Sequence, residues 1–267
     1  MTEISSKQDL DLSVVIIAFN EEANLARCLQ SLPSGCETIV VDSGSHDQTL
    51  SIAKNFGART FERAFTDFAE QKNYAIEQAS RRWILSIDAD EELSSALVEF
   101  LRKTCNAKNR QTAIAYRLRR RLVFMGRKMR WGKTEDAPIR LFLRGEGRFL
   151  GAIHERLELG ATKIVKVSQG QIWHYSFRDL SDYFQRFNRY TSAIAEQRLA
   201  QGKRPAMLGH LLRPWLEFVG RYFFRLGFLD GYPGYTYALV SSLYAYIKCA
   251  KVVEQLAPFT TEKGKPS

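Results

Sequence analysis

The densest chemistry in the sequence lies in Trp83-Ile-Leu-Ser-Ile-Asp-Ala-Asp-Glu-Glu92, an apolar run that ends in four acids across five positions. The apolar part, Trp83 to Ile87, reads as a short buried strand. At alternate positions of an extended chain, Asp88 and Asp90 project to the same side. Like charges held that close repel, so something cationic is needed to keep both ionised. Oxygen ligands at a strand's carboxyl end suit Mg2+ or Mn2+, with the remaining coordination supplied by water or a phosphorylated ligand. The same acids also fit a helix start, in which Asp90, Glu91 and Glu92 favour the N-terminus of a helix facing Leu93, Leu97 and Leu101. This stretch by itself leaves both readings open.

The elements around it narrow the choice. Leu12 to Ala18 is a continuous apolar run of the kind found in buried parallel strands. Asn20-Glu21-Glu22 opens a helix with Leu25, Leu29 and Leu32 on its apolar side, stopped by Pro33, Ser34 and Gly35. Thr38 to Val41 forms a second buried strand, ending at Asp42 and followed by Ser43-Gly44-Ser45-His46-Asp47. A helix over Gln48–Phe56, a strand over Arg59–Arg63 and a helix over Asp67–Ser80 lead to the acidic strand. Alternating strand and helix over the first hundred or so residues implies a doubly wound α/β fold, with a mostly parallel sheet and helices on both faces.

Such sheets bind ligands outside the carboxyl ends of their strands. Here that rim carries Asn20, Glu21, Asp42, Ser43, Gly44, Asp47, Asp88 and Asp90. Helix capping explains some of these individually: Asn20 for the first helix, Ser43, Ser45 or Asp47 for the second. Capping does not require an acid at the end of three successive strand units, so the rim reads as a nucleotide-plus-metal site. Neither G-x-G-x-x-G nor G-x-x-x-x-G-K-[ST] occurs, which excludes the usual dinucleotide oxidoreductases and P-loop NTPases.

The 267 residues allow one large domain or a domain with an appendage, and a net charge of +10 points to an anionic partner. The cysteines Cys28, Cys36, Cys105 and Cys249 show no metal-ligand spacing and fit reduced thiols of a cytoplasmic protein. The first twelve residues lack the pattern of a signal peptide, and no run is long and apolar enough to span a bilayer. Residues 117–133 are strongly basic, with Arg117, Arg119, Arg120, Arg121, Arg127, Lys128, Arg130 and Lys133 among aromatic and aliphatic residues. They fit either a strand with a solvated basic face or a cradle for an acidic acceptor. Nucleic acid is not the expected partner, because the acid-rich rim would repel a polynucleotide. The last third, with helices over Leu180–Leu199, Leu208–Phe228 and Tyr235–Leu256, is rich in aromatics and arginine, with a bend at Gly227, Gly231, Pro233 and Gly234. It fits core helices or helices lying in a membrane interface.

Ser13-Val-Val-Ile-Ile-Ala-Phe-Asn-Glu-Glu22, Ile39-Val-Val-Asp-Ser-Gly-Ser-His-Asp-Gln-Thr49 and Trp83–Glu92 together resemble the motifs of inverting family 2 glycosyltransferases of GT-A fold, in family order. Within that family the sequence is most similar to bacterial lipopolysaccharide-core glucosyl- and heptosyltransferases. The resemblance implies that Ala18, Asn20, Glu21, Asp42, Gly44 and Asp47 surround the nucleotide, with Asp42 accepting from a uracil ring. Asp88 and Asp90 match the family's D-x-D, Asp90 chiefly facing the metal on the diphosphate. Gln71-Lys72-Asn73 falls where similar enzymes carry Gln-Arg-Asn beside the nucleotide. Lysine keeps the charge there but loses the fork.

An inverting transfer also needs a general base for the acceptor hydroxyl. Glu155 is the first candidate, with His154 orienting it or binding phosphate, and Asp136, next to Glu135, is the second. Arg140 matches the family's Arg-Leu-Phe strand and, with Arg119 and Arg120, is expected to bind acceptor. His46, His174 and His210 read as structural. The expected organisation is a tail over 1–11, a GT-A domain over 12–175 with nucleotide and acceptor halves meeting at 105/106, a helical, membrane-associated region over 176–257 and a tail over 258–267. The expected activity is metal-dependent transfer of a hexose or heptose from a nucleotide sugar, UDP favoured, to an envelope glycan at the cytoplasmic face of the inner membrane. The alternatives are transfer to polyprenyl phosphate and a non-catalytic nucleotide-sugar or membrane-binding scaffold.

Overall fold

The computed structural model describes residues 9–106, 113–151, 155–160, 163–202 and 207–256, the side chains of 207–210 excepted. The expected tails, 1–11 and 258–267, fall almost wholly outside these residues. The chain forms two compact units, residues 1–122 with 135–176 and residues 123–134 with 177–267.

The first unit opens with β1 (Leu12–Ala18), α1 (Leu25–Gln30), β2 (Glu37–Asp42), α2 (Thr49–Asn55), β3 (Arg59–Glu62), α3 (Phe68–Glu77) and β4 (Trp83–Asp88). Strands β4, β1, β2 and β3 lie side by side and parallel, with Ile17 opposite both Val41 and Asp88. Their apolar runs are continuous because both faces are covered. Val14, Ile16 and Leu85 pack with Leu25, Leu29 and Leu97 on one face; Val15, Ile39 and Ile84 pack with Ala69 and Ala75 on the other. This is the doubly wound α/β sheet expected from the alternation.

The acids beyond β4 do not start a helix. Glu91–Leu93 forms a short strand, β5, and the helix α4 (Ser95–Thr104) begins only after Ser94, whose hydroxyl accepts from the Leu97 amide at 3.4 Å. The extended backbone turns the Glu91 side chain into the interior, whereas a helix N-terminus would have left it in solvent. Asn20 likewise does not cap α1. It holds a left-handed φ of +54°, tolerable for Asn, and bonds to the loop after β2.

The second half of this unit contains β6 (Ala115–Arg117), β7 (Arg120–Phe124), which runs on into the second unit, and there β8 (Arg127–Lys128). Back in the first unit follow β9 (Glu135–Asp136), β10 (Ile139–Leu143), β11 (Gly147–Leu150), β12 (Arg156–Leu159), β13 (Ile164–Lys166) and β14 (Ile172–His174). Strand β10 runs antiparallel beside β4 and completes a seven-stranded sheet in the order β13-β6-β10-β4-β1-β2-β3. A smaller sheet pairs β5 with β14, β14 with β7 and β7 with β9, setting His174 opposite Glu91 and Arg120 opposite Asp136.

The second unit is mainly helical: α5 (Leu180–Ala200), α6 (Met207–Val219) and α7 (Gly231–Leu256). A π-helical turn over Gly220–Phe224 and a 3-10 turn over Gly227–Asp230 join α6 to α7. The bend therefore ends at Gly231, and Pro233 and Gly234 lie in the first turn of α7, where proline is tolerated. Residues 123–134 belong to this unit because buried Asp230 accepts from the Arg130 and Trp131 amides at 2.9 and 2.8 Å.

Candidate active site

The loops after β1 and β2 are laced together at the carboxyl edge of the sheet. Asn20 N–H donates to Ser45 Oγ (2.8 Å), Glu21 N–H to Thr49 Oγ1 (2.8 Å), Glu22 N–H to Asp47 Oδ2 (3.2 Å) and His46 N–H to Asn20 Oδ1 (2.9 Å). Ala18, buried at the end of β1, accepts from the Ser43 amide at 2.9 Å. Asp42 is wholly buried and accepts from the Gly44 and Ser45 amides, at 2.9 and 2.7 Å, and from the Ser45 hydroxyl. Its carboxylate thus shapes the turn at Gly44, whose φ of +93° favours glycine. Asp47 binds the Thr49 amide and hydroxyl; partial burial opposes ionisation, but these bonds hold its carboxyl below the usual carboxylate range. The six rim residues expected around a nucleotide form one continuous edge.

Helix α3 presents three consecutive buried polar residues to the sheet. Gln71 donates to Ser43 Oγ (3.0 Å) and to the Arg63 carbonyl (2.9 Å). Asn73 exchanges two bonds with the Phe149 backbone, at 2.8 and 2.9 Å, tying β11 to the helix. Between them Lys72 Nζ lies 3.0 Å from Asp88 Oδ1 and 2.9 Å from Glu155 Oε1.

From Lys72 a chain of alternating charges crosses the site. Asp88 Oδ2 is 2.6 Å from Arg140, Arg140 is 2.7 Å from Glu91, Glu91 is 3.2 Å from Arg120, and Arg120 grips both oxygens of Asp136 at 3.0 and 2.6 Å. Glu91 Oε2 also accepts from the Asp88 amide at 3.0 Å. Burial on its own would raise the Asp88 pKa; the Arg140 and Lys72 charges reverse this and hold it well below the usual range. Burial would lower the pKa of Arg140, but Asp88 and Glu91 raise it, so the guanidinium stays charged.

The cations beside Asp88 are therefore side chains, and the repulsion that called for a metal is already relieved there. The case for a metal narrows to Asp90. Its Oδ1 is buried with no hydrogen-bond partner, while Oδ2 lies 3.3 Å from His174 Nε2. Burial opposes protonation of His174, but the Asp90 carboxylate more than offsets this and raises its pKa. An orphaned carboxylate oxygen costs free energy in a protein interior, and an oxygen of this kind fits a hard divalent cation. Among the described residues no three His, Cys, Asp or Glu side chains are grouped to hold a metal.

The structure thus gathers Glu155, Lys72, Asp88, Arg140, Arg120 and Asp136 in one connected set, with Asp90 beside it. Arg119 stands apart from that chain, 4.0 Å from Glu135, which pairs with Arg121 at 2.8 Å. His154 lies outside the described residues, as does the side chain of His210. His46 contributes only its backbone amide to the Asn20 loop.

Two residues that the structure brings to this set are not marked out by the sequence. Glu91 fits a helix start as well as a strand end, and its place shows only through the pairing of β5 with β14. His174, expected to be structural, stands 3.3 Å from Asp90, and no spacing rule connects the two.

A parallel sheet with this antiparallel addition, a nucleotide-type rim and a D-x-D at the end of β4 is a GT-A-type fold. Consistent with that, the mannosyltransferase PcManGT from Pyrobaculum calidifontis, solved with GDP-mannose and Mn2+, is similar over 93% of this chain and 88% of that chain, with a TM-score of 0.51 at 15% identity. The family model described as Glycosyl transferase family 2 matches residues 13–153, and the chain belongs to that family. It is 30% identical, over 93% of its length and 94% of the relative's, to the lipopolysaccharide core biosynthesis glycosyltransferase LpsC of Rhizobium meliloti (strain 1021). An uncharacterized glycosyltransferase of Rickettsia typhi, RT0209, is 27% identical over 91% of this chain and 87% of that protein.

Proposed function

We propose that this protein transfers a hexose or heptose from a nucleotide sugar, UDP-linked on the motif resemblance, to a growing lipopolysaccharide-core glycan, with inversion at the anomeric carbon. The supporting observation is the buried, unpartnered Asp90 Oδ1 at the tip of β4, next to a carboxylate, Asp88, that needs no further cation. The likeness to LpsC supports the acceptor class, and the net charge of +10 suits a phosphorylated or acidic acceptor.

In this reading Ala18, Asn20, Glu21, Asp42, Gly44 and Asp47 form the nucleotide edge, and Asp88 and Lys72 close it on the ribose-diphosphate side. Asp90, with His174 beside it, would hold Mg2+ or Mn2+. A bound dication supplies Lewis-acid stabilisation of the departing diphosphate. Glu155 removes the proton from the acceptor hydroxyl, and its 2.9 Å contact with Lys72 orients the carboxylate in the site. Arg140 and Arg120 keep the acid-rich floor neutral enough to admit an anionic donor, and Arg120 with Arg119 faces the acceptor side. The enzyme works at the cytoplasmic face of the inner membrane, where such acceptors are assembled. No helix among the described residues is long and apolar enough to cross a bilayer.

The test is hydrolysis of UDP- and GDP-sugars with and without Mn2+. Wild-type protein is expected to release nucleoside diphosphate only with metal. Asp90→Ala is expected to lower the rate by about a hundredfold or more while keeping its circular dichroism. Equal turnover without metal, or an unaffected Asp90→Ala, would remove the metal assignment.

A further inference from the structure

In the helical unit the segment from Leu211 to Phe224 carries three pairs of apolar residues, four and then eight positions apart: Leu211 and Leu212, Trp215 and Leu216, then Phe223 and Phe224. All six are exposed, Trp215 at 71% and Phe224 at 81%. In an unbroken α-helix, residues eight apart, such as 216 and 224, are rotated by roughly 80° from each other. The π turn over Gly220–Phe224 winds about one residue more per turn, which nearly cancels that rotation. The irregular turn therefore keeps Phe223 and Phe224 on the face of Trp215 and Leu216. The opposite side is satisfied within the unit, where Phe218, Tyr222 and Tyr235 pack with ring centroids 5.4 to 5.9 Å apart.

The charges on this segment are one-sided. Between Leu211 and Tyr246 the only acids are Glu217 and Asp230. Glu217 is paired with Arg221 at 2.7 Å, and Asp230 is buried on backbone amides. Arg213 and Arg225 are exposed on the same stretch. Aromatic and aliphatic side chains flanked by arginines, with no exposed acid, fit the boundary of an anionic bilayer. A protein partner of ordinary composition would offer no reason for the missing acids.

We propose that the face of α6 and its π turn, led by Trp215, Leu216, Phe223 and Phe224, docks the protein on an anionic membrane surface, with Arg213 and Arg225 against the lipid phosphates. This rests on the membrane-side location in the proposed function and names the surface responsible.

The experiment is flotation of the full-length protein with phosphatidylcholine vesicles, with and without phosphatidylglycerol, beside the donor-hydrolysis assay. Wild-type protein is expected to float with the phosphatidylglycerol vesicles, with its tryptophan emission shifted to the blue, and to be released by salt. The double variant Trp215→Ser, Phe224→Ser should bind at least about tenfold more weakly. Arg213→Gln with Arg225→Gln should lose the preference for phosphatidylglycerol. All variants should keep wild-type hydrolysis and melting temperature. Wild-type protein that stays off anionic vesicles, or a double variant that floats as well as wild type, would overturn the proposal. So would a dimer in light scattering that the double variant dissociates, because the face would then belong to a second copy. Hydrolysis without vesicle binding removes only the docking surface; vesicle binding without hydrolysis removes only the transfer reading.

Discussion

Lys72 touches two carboxylates in different surroundings. Asp88 is also held by Arg140, whereas Lys72 is the only hydrogen-bonding partner of Glu155 that the described side chains supply. A base must be ionised yet free to turn its lone pair toward a hydroxyl, and a single contact with a flexible ammonium allows that. Asp136 is gripped through both oxygens by the rigid Arg120 fork, which fixes its orientation. Glu155→Gln is therefore expected to lower kcat by roughly a hundredfold or more, with the donor-induced thermal shift intact. Asp136→Asn should cost about tenfold or less, and rate measurements on the two variants decide between them. The reverse order would transfer the role to Asp136.

At the scale of elements, the strand pairings determine which charges meet. Strand β14 carries His174 to Asp90, and the turn before it depends on Gly170. A Cβ at that position would sit 2.3 Å from the Leu97 amide nitrogen and 2.7 Å from its Cα, at a φ of +74°. Backbone on α4 has no room to yield, so Gly170→Ala is expected to lose about 2 kcal/mol or more in urea unfolding and to reduce donor hydrolysis with it. At the other end of the sheet Glu37 opens β2, accepting from the Ser13 hydroxyl, the Ser80 amide at 2.8 Å and Arg59 at 2.6 Å. Burial works against its ionisation, but these donors prevail and its pKa is lowered. A lowered folded pKa gives stability that is present above the unfolded value, about 4.3, and is lost as pH falls through the folded value. Glu37→Gln should thus cost about 1 kcal/mol at neutral pH, and the difference from wild type should shrink as the pH falls through the folded value in the same unfolding assay.

For the whole molecule, the proposed metal-dependent donor site carries a linkage consequence: a metal held jointly by Asp90 and the donor diphosphate would make donor and metal stabilise the protein together. At a hundredfold excess over its dissociation constant a ligand adds about 2.7 kcal/mol, which corresponds to a melting shift of roughly 5 °C. A UDP-sugar with Mn2+ is expected to reach that shift and either one alone to fall well short; equal shifts with and without metal would count against Asp90 as its ligand.

Much of this was legible beforehand. The β-branched runs of β1, β2 and β4 and the acids at their ends define a doubly wound sheet with a polar rim, because side-chain periodicity and strand-end position follow from local sequence. Helix α1 starts later than its local pattern indicates, at Leu25, because Asn20 takes a left-handed turn to serve a loop some 25 residues on, a requirement that no local pattern records.

Local sequence determined which strands form, where they end and which acids stand at the edge, since those depend on neighbours along the chain. Tertiary structure alone decided the partners: that Lys72 and Arg140 neutralise Asp88, that Asp90 is left with an orphaned oxygen near His174, and that Glu91 turns inward. The reason is electrostatic. A buried charge needs an opposite charge or hydrogen-bond donors beside it, and here the charged partners lie 49 and 52 positions from Glu91 and Asp88 in the case of Arg140 and 83 positions apart in the case of Lys72 and Glu155.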